Sequence, residues 1–76
     1  MPGEMPEKTR RLFLIFKGAV ERERDAQRIY KQAAELCEDE ALRTLLEGFC
    51  KDEARHEKAL LQRYNRLRNK YNVQAK

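Results

Sequence analysis

The sequence predicts an all-α fold: a two-helix antiparallel hairpin that dimerises into a four-helix bundle. Two observations carry the first part. The composition is rich in Ala, Leu, Glu, Lys, Arg and Gln, and both prolines lie within the first six positions. Two long stretches repeat apolar residues at steps of three and four, separated by one short break at Glu38 and Asp39. The third observation is length. A unit of 76 residues rarely stabilises itself on its own core, so a metal or a partner is expected. The expected organisation is an N-terminal tail over 1–6, the helical hairpin over 7–69 and a C-terminal tail over 70–76.

Pro6 suits the first turn of a helix, and nothing from Glu7 to Cys37 breaks one. Its apolar stripe runs through Leu12, Phe16, Ala19, Ala26, Tyr30, Ala33 and Cys37, provided position 23 is counted as a member. Position 23 is glutamate. Asp39 is an N-cap candidate for a second helix reaching Asn69 or Asn72, with Glu40 placing negative charge in its first turn. Its stripe is Leu42, Leu46, Phe49, then 53 and 56, then Leu60, Tyr64 and Leu67. Positions 53 and 56 are Glu and His.

Three ionisable residues therefore occupy places where packing alone would choose Leu, and burying them uncompensated would cost several kcal/mol. The connection is too short for anything but an αα-hairpin, in which residues at one level sum to about 77. Glu23 then falls opposite position 54, beside Glu53, with His56 within roughly one turn at about 1.5 Å of rise per residue. Two carboxylates and an imidazole at one height are metal-ligand types. They make half of a di-metal carboxylate site, whose full form takes a Glu from each of two helices and a Glu-x-x-His from each of the other two. A two-fold dimer would bury the apolar stripe and complete four Glu and two His. Carboxylate-rich donors with one imidazole per metal suit iron or manganese, and zinc can substitute.

Glu23-Arg-Asp-Ala-Gln-Arg-Ile-Tyr30, followed by Asp52-Glu53-Ala54-Arg55-His56, resembles one half of a ferritin-like domain of the rubrerythrin and di-iron carboxylate group. The match covers roughly Ala19 to Tyr64. As a single hairpin that must pair, the chain resembles the encapsulated ferritins, which brings an encapsulating shell protein in as an expected partner class. No shell-targeting tail is recognisable. The resemblance implies a di-iron centre shared between two chains and able to oxidise Fe(II) with oxygen or peroxide, a ferroxidase-type oxidoreductase handling iron. It also implies roles: Glu23 a terminal ligand, Glu53 a bridging ligand and His56 the nitrogen ligand. Asp52 would hold the ring N–H of a ligating His, with Arg55 balancing Asp52. Tyr30 would be either a core aromatic or a hydroxyl donor to a ligand carboxylate of the partner. Rubredoxin-type Cys-x-x-Cys and an extra carboxylate beside Glu23 are lacking, which argues against a full peroxidase.

No stretch approaches the roughly 20 apolar residues of a membrane span, and no signal-peptide pattern opens the chain, so the expected location is cytoplasmic. The formal charge is +4, with basic residues gathered at Lys8, Arg10, Arg11 and at Arg63, Arg66, Arg68, Lys70 and Lys76. These two groups share one end of the hairpin. No nucleic-acid motif or aromatic interleaving accompanies them, so nucleic acid is not an expected partner. The competing reading is a basic helical interaction module with a structural metal or none. Cys37 and Cys50 are roughly 15 Å apart in level and cannot pair within a chain.

Overall fold

A computed structural model describes residues 5–71 as two helices and no strand. Helix α1 spans Glu7–Leu36 and α2 spans Glu40–Lys70. The greater parts of the two expected tails, 1–4 and 72–76, lie outside the described residues. Pro6 precedes α1 without a side-chain cap, and its carbonyl accepts the Arg10 N–H at 2.9 Å. Asp39 caps α2 as its residue type predicts, its Oδ1 accepting from the Leu42 N–H at 3.0 Å. The three-residue turn is further held by Arg43, whose guanidinium donates to the Cys37 carbonyl at 2.6 Å. Among the described residues, neither helix is long and apolar enough to cross a membrane.

The helices pack antiparallel along lines that step by three and four. On α1 the half-buried or buried positions include Phe13, Phe16, Val20, Glu23, Gln27, Tyr30 and Ala34; on α2 they include Leu46, Cys50, Glu53, Glu57, Leu60, Tyr64 and Leu67. Phe13 stacks on Tyr64 with ring centroids 4.5 Å apart, and Tyr30 meets Phe49 at 5.4 Å. The Cys50 thiol donates to the Gln27 carbonyl at 3.5 Å. Residues at one level thus sum to 77–79, near the expected register.

The packing line corrects the expected one. Of the expected stripe Ala19, Ala26 and Ala33 are half-buried and Leu12 is exposed, whereas Phe13, Val20, Gln27 and Ala34 also line the contact and Val20 and Ala34 are the two buried apolar residues. On α2, Cys50 and Glu57 take the inner places expected of Phe49 and His56. The reason is that the stripe is wider than one helix–helix contact. A hairpin buries one edge of it and leaves the other on an open face, here called the front. Leu12, Ile15, Leu42, Leu45 and Phe49 accordingly stay 40–66% exposed. A Cβ built at Gly18 meets nothing within 4 Å, so no close approach inside the hairpin requires that glycine.

Candidate metal centre

Glu23 sits midway along α1, and Glu53 and His56 lie one turn apart near the middle of α2. Because they are three apart, Glu53 and His56 share a helix face, and the register lays Glu23 across from both. His56 Nδ1 is 3.2 Å from Glu53 Oε1 and 3.6 Å from Glu23 Oε2. One donor atom from each residue falls within a 4.8 Å cluster. The two carboxylates belong to the inner line, about a fifth exposed, whereas the imidazole is 58% exposed on the front. That placement differs from the expectation that all three would lie between the helices.

Electrostatics distinguish this cluster from an ordinary ion pair. Glu23 Oε2 is buried and has no hydrogen-bond partner. Among the described residues no Lys or Arg pairs with Glu23 or Glu53. The Glu53 carboxyl, bonding to Glu23 when one of them holds a proton, raises Glu23 above the ordinary carboxylate range; burial and the Glu53 charge push the same way, and His56 opposes them. Two carboxylates are thus held against an imidazole nitrogen with no cationic side chain to neutralise them. A divalent cation satisfies all three donors, and oxygen-rich donors with one imidazole suit iron or manganese. The donor set and the unpartnered Glu23 oxygen both fit a metal.

The opposite face, the back, carries a contrasting cluster that the sequence reading missed. Arg24 Nε donates to Glu57 Oε2 at 2.8 Å, and Gln27 Nε2 donates to Glu57 Oε1 at 2.7 Å and to the Glu23 carbonyl at 3.2 Å. Arg24 first, then Gln27, holds the Glu57 carboxyl below its ordinary range. The signal was present: Gln27 and Glu57 are polar members of the otherwise apolar lines 20–27–34 and 50–57–64. The hairpin's grooves also open on the back, one lined by Val20, Arg24, Leu61 and Tyr64 and one by Lys31, Ala34, Cys50 and Ala54. Neither of these grooves is lined by a residue of the triad. Asp52 pairs with Arg55 on its own helix, and Tyr30 packs against Phe49 two turns from Glu23.

The family model for rubrerythrin matches residues 2–74. The chain belongs to the rubrerythrin family. No curated protein and no solved structure matches it. Rubrerythrin-family proteins typically bind iron, in keeping with the carboxylate–imidazole donors here. The family match and the two packed helices together make this a ferritin-like helical chain.

Proposed function

We propose that two copies of this rubrerythrin-family hairpin join by their front faces into a ferritin-like four-helix bundle. Its core would hold a di-iron centre that oxidises Fe(II) with oxygen or peroxide. The observation that carries the reading is the triad itself: two glutamates and a histidine meet at mid-hairpin, one carboxylate oxygen buried and unpartnered, beside an exposed apolar surface. One chain supplies three protein donors, half of the four-Glu, two-His set of di-iron carboxylate bundles. Iron, when bound, supplies the redox chemistry by which oxygen or peroxide is reduced. Manganese or zinc would occupy the same donors without that turnover.

In this reading each side chain has a defined task. Glu23 and Glu53 would give hard anionic oxygens, Glu23 as the terminal and Glu53 as the shared carboxylate, while His56 would give nitrogen through the Nδ1 that faces both carboxylates. The far nitrogen of the exposed His56 ring would then donate its N–H in a hydrogen bond to Asp52 of the partner subunit. Arg55, already paired with Asp52, would hold that carboxylate in place. Phe49, one turn from Glu53, would exclude water beside the site once covered, and Leu12, Leu42 and Leu45 would extend the apolar seam away from it. A cytoplasmic location belongs to the same proposal.

Elemental analysis of protein from an iron-supplemented host, read beside solution mass, tests this directly. About one iron per chain in a dimer or a multiple of dimers supports it, as does Fe(II) oxidation followed by absorbance. A metal-free, folded monomer at micromolar concentration would favour the rival basic interaction module. Stoichiometric iron without turnover would leave an assembly held together by metal.

A further inference from the structure

The inner lines of the hairpin are apolar toward both ends and largely polar in the middle. Val20 and Ala34, the buried apolar residues among those described, stand about four turns apart on α1. Between their levels α1 turns Glu23, Gln27 and Tyr30 inward, and α2 answers with Cys50, Glu53 and Glu57. The candidate metal donors therefore sit at a level where no fully buried apolar side chain fixes the distance between the helices. A metal is exacting about that distance, since its donors must be held to within roughly 0.5 Å of their working positions. Something other than close packing has to set it.

Gln27 is placed to do so. Its side-chain amide donates in two directions, across to Glu57 Oε1 at 2.7 Å and back to the Glu23 carbonyl at 3.2 Å, which uses both of its hydrogens. Its own backbone carbonyl accepts the Cys50 thiol at 3.5 Å. Cys50 and Glu57 bracket the stretch of α2 that carries Glu53 and His56. Gln27 thus ties both ends of that stretch to α1, at the turn that bears Glu23. Arg24, donating to Glu57 Oε2 at 2.8 Å, reinforces the same tie from the next turn's edge. These contacts leave the triad's own donor atoms untouched, Glu23 Oε2 included.

The residue type at position 27 is an independent sign. The position lies on the line between Val20 and Ala34, where an aliphatic side chain would pack without needing any hydrogen bond. Glutamine there gives up apolar contact and gains three bonded neighbours, on residues 23, 50 and 57, that surround the donors in the chain. It carries no charge to compete with a cation for the two carboxylates. On the reading that the triad binds metal, we propose that Gln27 is its positioning residue. It holds the Cys50–Glu57 stretch of α2 against the Glu23 turn of α1 and so sets the spacing of the three donors.

Co(II), whose visible absorption bands report coordination geometry, is the probe, added to the metal-free full-length chain. In Gln27→Leu the apolar line becomes continuous, so the urea midpoint should hold or rise, while Co(II) affinity falls about 10-fold and the bands shift. A purely structural role would move the midpoint and leave the bands alone. Glu57→Gln keeps an oxygen for Gln27 to bond and should retain the wild-type bands. Phe13→Leu, which loses the ring stack on Tyr64 well away from the tie, should lower the midpoint and also retain them. Wild-type affinity and bands in Gln27→Leu would overturn the positioning role and leave the metal centre standing. Should that variant fail to fold, Gln27→Met, unbranched and close in length, makes the same comparison. An equal loss of Co(II) affinity in Phe13→Leu would overturn the role too, because any loosening of the hairpin would then suffice. Absence of Co(II) binding to the wild-type chain would overturn the metal reading, and the positioning role with it.

Discussion

Glu23 and Glu57 are both glutamates on the inner lines of the same hairpin, within about a turn of each other in level, and the fold treats them oppositely. Glu57 receives a guanidinium and an amide, 2.8 and 2.7 Å away, and its proton affinity falls. Glu23 receives another carboxylate and an imidazole, keeps one buried oxygen without a donor, and its proton affinity rises. Cations were available: Arg22 and Arg24 flank Glu23 in sequence, yet Arg24 turns to the back. The carboxylate that holds the helix pair together is given a cationic partner, whereas Glu23 is kept from one and retains an open oxygen. The back cluster also tethers the front one, since Gln27 donates to the Glu23 carbonyl and Glu57 neighbours His56 in the chain.

The largest expected effect that could break this contrast comes from Glu53→Ala. If the front cluster binds paired metal, losing the bridging carboxylate abolishes it, and iron per chain falls to background in elemental analysis. Helix content by circular dichroism should be unchanged. The metal-free hairpin should even gain stability, because the carboxylate that crowds Glu23 is gone and Ala is the better helix former. Wild-type iron stoichiometry in this variant would remove Glu53 from the site.

Asp52→Asn should cost less, roughly 10 to 100-fold in iron affinity or in Fe(II) oxidation rate, the usual cost of losing a group that orients a ligating imidazole. Asn keeps the volume and loses the charge now shared with Arg55. Wild-type kinetics here, beside severe loss in His56→Ala, would confine the centre to its three ligands.

How much of this was legible in the sequence follows from what each pattern encodes. The triad was legible because Glu53 and His56 are three apart and Glu23 sits at the mirrored level across a short turn, and helical geometry converts both spacings into proximity. The Asp39 cap was legible from residue type alone. The exact packing line was not. An apolar stripe broad enough for two contacts looks the same whether its inner edge is Leu12–Ala19–Ala26 or Phe13–Val20–Gln27, and only three-dimensional packing shows that Val20 is buried while Leu12 is exposed. The same ambiguity hid Glu57, which reads as a surface charge until the stripe is rotated by one residue.

A smaller effect is expected at the back. Glu57→Gln removes the charge that Arg24 holds but leaves the triad's donors in place, so iron per chain should be unchanged. The partners are part-exposed, so the pair is worth at most about 1 kcal/mol. The melting temperature should fall by about 2–5 °C. Loss of iron binding in Glu57→Gln would mean that the two clusters act as one.

The smallest expected effect is the pH dependence of the metal-free protein, in which the two glutamates pull in opposite directions. Glu57 has a lowered proton affinity in the fold, so its contribution is present above the free glutamate value of 4.5 and is lost as pH falls through its folded value. Glu23 has a raised affinity, so its contribution is present below 4.5 and is lost as pH rises through its folded value, where it must ionise beside Glu53. Urea midpoints from pH 3 to 7 should therefore show a blunted acid limb in Glu57→Gln. In Glu23→Gln the metal-free protein should become more stable than wild type at pH 7, because the ionised pair is relieved. Metal inverts the second sign: its ligands must be deprotonated, so loading is favoured as pH rises and releases protons from the cluster. A Glu23→Gln chain less stable than wild type at pH 7 without metal would show that Glu23 already has its stabilising partner, and the contrast between the two faces would fall with it.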